Sequence, residues 1–306
     1  MSEPAGGAPF FIVGSARSGT TLLRLMLNAH RDVAVPPESR FVVELWTGQE
    51  RVRASELLQK LAAHPRFEAW DLPIEMVEHE LQGAEEATYA DAIEAAYRAY
   101  ARVNGKTRWG DKTPRYVEHI PLLARLWPES SFVHLVRDGR NVALSYADVP
   151  FGPKTVAKAA ELWATRVRMG IAAGRALGDR YIEIRYEDLV EDAEGEAKDL
   201  CDFLGLDFDS GMLDYTERAR GAVLPRAKKY NPHVAERPIS KVRSWEQSMP
   251  ESHVEVFEAV AGDVLAELGY ERRHPRAGLK ARVVAGAGRR GLPVTRLKGR
   301  GPTNRA

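Results

Sequence analysis

Cysteine is almost absent: Cys201 is the only one in 306 residues, which excludes an intramolecular disulfide or a cysteine metal cluster and reads as a core filler. Long apolar runs are missing too, and none approaches the roughly 20 residues of a membrane span. No HExxH pattern, paired histidines or carboxylate cluster marks a metal site. Nor does charge of one sign dominate. With 44 Lys and Arg against 43 Asp and Glu, the net charge of +1 gives no global pull toward nucleic acid or membrane. A further absence is local. Residues 10–21 read as a strand, a glycine loop and a helix start, as in a GxxxxGK[ST] triphosphate loop, yet Thr20 stands where the lysine belongs. The nearest cation is Arg17 within the loop, so the loop suits a phosphate without the β/γ-phosphate and metal arrangement of a nucleoside triphosphate.

What is present is an ordinary globular composition, 44% hydrophobic and 28% charged, and a single large domain over residues 1–274 is expected. Charge is unevenly placed. Residues 275–306 hold nine Lys and Arg and no acid, leaving 35 basic against 43 acidic residues before them. That stretch reads as a basic, flexible, solvated tail with one or two helical turns near Leu279 to Ala285, and peripheral contact with anionic lipid or an acidic partner is open to it. The start, Met1 to Ala8, is acidic and unlike a secretory leader, so a cytoplasmic chain is expected.

Periodicity places the motifs. Leu22, Leu23, Met26 and Leu27 share a helical face, so the first helix points its N-terminus at the loop. Val33 to Val35 reads as a short strand, broken by Pro36 and Pro37 just before Glu38. Residues 44–105 form a helical insertion, a cap. A strand over Ser131 to Val136 delivers Arg137 at its carboxyl end, the following helix carries Ser145, and a strand over Tyr181 to Ile184 leads to Tyr186. Alternating strands and helices predict an α/β fold, a P-loop-like parallel sheet flanked by helices, with ligands at the carboxyl ends of the strands.

Taken as chemistry, the loop offers backbone N–H groups and the hydroxyls of Ser18, Thr20 and Thr21 to an anion at a positive helix end. Arg137 suits bidentate phosphate contact, with an ion pair to Asp138 as its plain alternative. Ser145 reads equally as an ordinary helix serine, Lys112 as an exposed loop lysine, and Glu38 as a helix-start glutamate favoured by the dipole. His30 and His134 read as structural, and Trp109, Trp127, Trp163 and Trp245 as core or cap residues.

The loop from Gly14 to His30, with the Pro36 to Arg40 segment after it, resembles the 5′-phosphosulfate loop of sulfotransferases that use 3′-phosphoadenosine 5′-phosphosulfate (PAPS). The resemblance continues through Asp111 to Tyr116, Phe132 to Tyr146, Ile184 to Val190 and Ile239 to Pro250. It is nearest to the tyrosylprotein and bacterial carbohydrate-type branches. What it implies is a donor site in which Arg17, Ser18, Gly19, Thr20 and Thr21 hold the 5′-phosphosulfate, and Arg137 and Ser145 hold the 3′-phosphate. Tyr186 and Lys241 complete that site. Glu38 is the implied general base, and Lys112 with Arg17 the charge at the bridging oxygen, with no metal. Pro225 to Asn231 departs from the tyrosylprotein pattern, where a serine sits near the transferring group. The acceptor itself carries no motif: a start unlike a secretory leader favours a hydroxyl or amine of a small molecule, glycan or glycolipid over a secreted protein, in a pocket shaped by the cap and by residues 211–237, and a homodimer is the assembly expected from general frequency. A P-loop kinase-like phosphotransferase and a non-catalytic adenine-nucleotide-binding protein are the alternatives.

Overall fold

The computed structural model describes residues 7–215 and 244–297. Its main sheet contains β1 (Phe10–Gly14), β2 (Val33–Ala34), β5 (Arg108–Lys112), β6 (Ser131–Val136) and β7 (Tyr181–Arg185), all parallel, in the order β2-β5-β1-β6-β7. Two further strands, β3 (Arg51–Arg53) and β4 (Glu86–Thr88), pair antiparallel in a separate ribbon. The expected α/β class holds.

Strand β1 is apolar throughout because both faces are covered. Phe11 and Val13 point into a cluster shared with the cap, which includes Trp109, Trp127 and Phe132. Phe10 and Ile12 turn the other way, toward Leu23 and Met26 of the helix Thr20–Ala29 and Leu200 and Cys201 of the helix Ala193–Leu204. A third cluster joins Trp163 of the helix Val156–Leu177 to Phe257 of the helix Glu251–Glu267.

Strand β5 was not expected. Arg, Asp and Lys at its ends and a central glycine hide it from any apolar pattern, but Gly110 is what lets it form. A Cβ there would stand 2.3 Å from the Phe10 ring, so only glycine permits β5 to lie against β1. Register then sets Lys112 beside Ile12, next to the end of β1.

The cap occupies the interval between the adjacent strands β2 and β5. It holds the helices Ala54–Ala62, Pro65–Glu68, Ile74–Glu80 and Tyr89–Val103 together with the β3–β4 ribbon, which helical periodicity alone did not reveal. Tyr97 stacks on Trp109 with ring centroids 4.2 Å apart, and Trp127 Nε1 donates to Glu94 Oε2 at 3.0 Å, so the cap is sewn to the sheet through aromatic side chains.

Where a flexible tail was expected from Pro275, the chain forms the helix Leu279–Arg289, longer than the one or two turns read from sequence. Its small residues Ala281, Ala285 and Gly288 are buried, and a Cβ on Gly288 would come within 2.8 Å of Ala157 Cβ. Small side chains let it lie close against the helix Val156–Leu177, an effect invisible to composition. Lys241, Pro225 to Asn231 and the part of 211–237 after Tyr215 lie outside the described residues.

Candidate active site

Five strand ends converge on one edge of the sheet. Strand β1 ends at Gly14, where a Cβ would meet the Leu135 carbonyl oxygen at 2.5 Å. Next in the loop, Arg17 (φ 76°) and Gly19 (φ 97°) are left-handed on either side of Ser18, an alternation that turns successive N–H groups toward one concavity. Gly19 is also the N-cap of the helix Thr20–Ala29 and supplies no side-chain cap, so the first-turn N–H groups led by Thr20 and Thr21 face that concavity without a capping side chain. Ser18 is wholly buried, and its Oγ has no partner among the described residues.

The other predicted donor residues meet this loop. Arg17 Nε donates to Ser145 Oγ at 2.9 Å, and Arg137 Nη1 donates to the Arg17 carbonyl at 3.4 Å. The Arg137 guanidinium lies 4.4 Å from the centre of the Tyr186 ring. That ring in turn rests on Gly19, where a Cβ would be 2.2 Å from Cδ2. Asp138, the alternative partner of Arg137, instead pairs with Arg140 at 2.7 Å and caps the helix Gly139–Tyr146. Arg137 Nε is buried and has no partner among the described residues. Burial holds the Arg17 guanidinium below its ordinary pKa, opposed by Tyr146 and reinforced by Arg137. A buried guanidinium on Arg137 beside a half-buried one on Arg17, a buried hydroxyl without a partner among the described residues and an N–H nest fit a phosphorylated nucleotide.

On the other side of β1, Lys112 Nζ donates to Glu38 Oε1 at 2.7 Å. Burial disfavours the Glu38 carboxylate, but the Lys112 charge and hydrogen bond, then Arg66 and Arg40, outweigh it and hold the carboxyl below its usual range. Neighbours of both residues interlock. Ser39 N donates to Thr113 Oγ1 at 3.2 Å, Ser39 Oγ shares a 2.8 Å bond with Tyr116, and Tyr97 donates to Asp111 Oδ2 at 2.8 Å. Asp111 is fully buried, and burial pushes its carboxyl up to about 6 against the favourable influence of the nearby Ser39, Tyr97 and Thr113 hydroxyls.

Sequence reasoning missed Arg24. It is buried in the first helix, donates to the Val35 carbonyl at 2.9 Å, and acts electrostatically on Glu38. Its signal was a lone cation inside the otherwise apolar run after Thr21. His30 and His134 are structural: His30 Nε2 donates to the Asp207 carbonyl at 2.9 Å, and His134 Nδ1 bonds the Tyr181 hydroxyl at 2.6 Å. Among the described residues no group of three or more His, Cys, Asp or Glu could hold a metal, and no helix is long and apolar enough to cross a membrane.

A family model described as the sulfotransferase family matches residues 9–210, which include β1, the loop, Glu38, Lys112, Arg137, Ser145 and Tyr186. The chain belongs to the sulfotransferase family. As a PAPS-dependent sulfotransferase it has relatives of several kinds. It is 28% identical over 304 residues to the nodulation protein NoeE of Sinorhizobium fredii, covering 89% of this chain and 68% of that protein. It is 25% identical over 280 residues to protein-tyrosine sulfotransferase 1 of Danio rerio, covering 85% and 72%. In fold, this sulfotransferase is similar to the sulfotransferase domain of the Synechococcus PCC 7002 olefin synthase, with a TM-score of 0.63 at 24% identity over 88% of this chain and 97% of that one.

Proposed function

We propose that this sulfotransferase moves the sulfuryl group of PAPS to an acceptor hydroxyl or amine, with Glu38 as general base. In this reading Arg17 to Thr21 hold the 5′-phosphosulfate, Arg137 and Ser145 the 3′-phosphate, and Tyr186 and Lys241 flank the nucleotide. PAPS supplies the activated sulfuryl group. Glu38 takes the acceptor proton as the acceptor oxygen bonds to sulfur. Lys112 and Arg17 neutralise the charge that gathers on the phosphate oxygen as its bond to sulfur breaks. The observation that carries this is the Glu38–Lys112 contact, which sets a carboxylate and an ammonium together at the same sheet edge as the loop.

The acceptor side is proposed to lie under the cap. Arg40 and Arg66 both act on the Glu38 carboxylate, which gives that side a cationic rim suited to a hydroxylated or anionic small molecule, glycan or glycolipid. Calorimetry with 3′-phosphoadenosine 5′-phosphate (PAP), ATP and AMP tests the donor assignment. PAP should bind tightest. ATP binding with Mg²⁺ at or above that affinity would return the kinase alternative, and PAP binding without product from any acceptor would leave a nucleotide-binding protein.

A further inference from the structure

The helix Leu279–Arg289 has an inner and an outer face of opposite character. Ala281, Ala285 and Gly288 are turned inward and buried. Outward, Leu279 is 79% exposed and Val283, one turn on, 64% exposed; Leu292 follows at 54%. Exposed basic side chains border these apolar ones: Lys280, Arg282, Arg289 and Arg290. The segment after the helix is held in place, since Val156 N donates to the Thr295 carbonyl at 3.1 Å and Leu297 N to the Lys154 carbonyl at 2.9 Å. That pairing brings exposed Arg296 beside exposed Lys154. Two acids in this part of the fold are already engaged: Glu255 accepts from Gly278 N at 2.9 Å, and Glu251 pairs with Arg273 at 3.1 Å.

We propose that this outer face docks the enzyme on an anionic lipid membrane. Charge complementarity argues for an anionic partner, since residues 275–306 hold nine Lys and Arg and no acid whereas the remainder of the chain carries more acids than bases. Apolar side chains at the centre of the basic rim argue for lipid over nucleic acid. A headgroup layer accepts both the cations and the shallow insertion of Leu279 and Val283, whereas a phosphate backbone would leave the two apolar side chains in water. None of these residues belongs to the donor site or the catalytic pair, so the surface acts independently of turnover. It holds the enzyme where acceptors that partition into lipid are concentrated.

Co-sedimentation of the full chain with phosphatidylcholine vesicles, with and without phosphatidylserine, tests this. Binding should require phosphatidylserine and weaken as salt rises. The K280E/R282E/R289E/R290E variant should bind at least roughly tenfold more weakly, and L279S/V283S severalfold more weakly, with turnover of a water-soluble acceptor and Tm unchanged. Because Cys201 is buried, a polarity-sensitive dye on V283C labels one site and reads insertion in an otherwise native chain. Its emission should shift to the blue on anionic vesicles, while the same dye on V103C, exposed at the end of the cap helix, should not. Equal binding to neutral vesicles, vesicle binding that survives both sets of substitutions, or tight binding to duplex DNA with no vesicle binding would each overturn the proposal.

Discussion

Lys112 and Glu38 are 74 positions apart in the chain, yet the lysine ammonium at the end of β5 donates at 2.7 Å to the carboxylate that follows the adjacent strand β2. A base so paired is ionised but held back, because the lysine that keeps it charged also stabilises its proton-free form. Glu38→Gln keeps the shape and a hydrogen-bond acceptor for Lys112 while removing the base. Turnover should fall by about two to four orders of magnitude with PAP affinity changed less than about twofold. Unchanged turnover would remove Glu38 from the mechanism.

The same pairing fixes a pH dependence. Since the Glu38 carboxyl is held below its ordinary 4.5, the acid limb of kcat/KM, which reports the free enzyme, should lie below that value. Lys112→Met should move the limb upward, because the largest influence opposing desolvation of the half-buried carboxylate is gone. A pH-rate profile that is the same in both forms would contradict this.

Donor discrimination should reside in Arg137 and Ser145. Ser145→Ala removes one neutral hydrogen bond and should weaken PAP by roughly fivefold, and Arg137→Ala removes a charge-assisted one and should weaken it by roughly 10- to 100-fold. AMP, which lacks the 3′-phosphate, should bind both variants almost as it binds the native chain. Equal losses for PAP and AMP would show that the two residues do not read that phosphate.

Gly19 carries two constraints at once, a left-handed backbone and a neighbouring ring. Gly19→Ala costs about 1 kcal/mol in backbone strain and pushes its Cβ into the space of Tyr186. The ring must move, and Arg137 loses the surface it lies on. PAP affinity should fall at least tenfold with a modest drop in Tm; native affinity measured by calorimetry would refute the contact.

Asp111 gives a prediction on stability. Its folded pKa of about 6 lies above the ordinary 3.8, so between these values the folded chain binds the proton that the unfolded chain has released. Stability from this group is therefore present at low pH and lost as pH rises through 6. Asp111→Asn cannot titrate. The difference in Tm between this variant and the native chain should shift in favour of the variant from pH 5 to pH 7, and a pH-independent difference would place the titration elsewhere.

Much of the fold was legible because β1 and β6 are apolar runs broken only by His134. Phe10 to Val13 and Phe132 to Val136 could hardly be anything else, and their carboxyl ends gave Arg17 and Arg137 directly. Strand β5 was illegible for the opposite reason. Its charged residues are buried by pairing and hydrogen bonding with partners far along the chain, which no local pattern records. For the same reason Lys112 and Glu38 were nameable only by resemblance, and Arg24 not at all. The packing of the helix Leu279–Arg289 depends on the absence of side chains at Ala281, Ala285 and Gly288, and small residues in a basic segment look like flexibility when read in one dimension.

The order β2-β5-β1-β6-β7 divides labour across β1. Groups assigned to the nucleotide lie at the ends of β1, β6 and β7, whereas Glu38 follows β2 and Lys112 is the last residue of β5, and the cap leaves from one of that pair and returns by the other. The two strands that anchor it are a single strand spacing apart, joined by the Val33–Arg108 pairing. If the cap shapes the acceptor site as proposed, exchanging the part of this excursion beyond Glu38 changes what the enzyme sulfates, while the strands that carry the proposed donor residues stay in place.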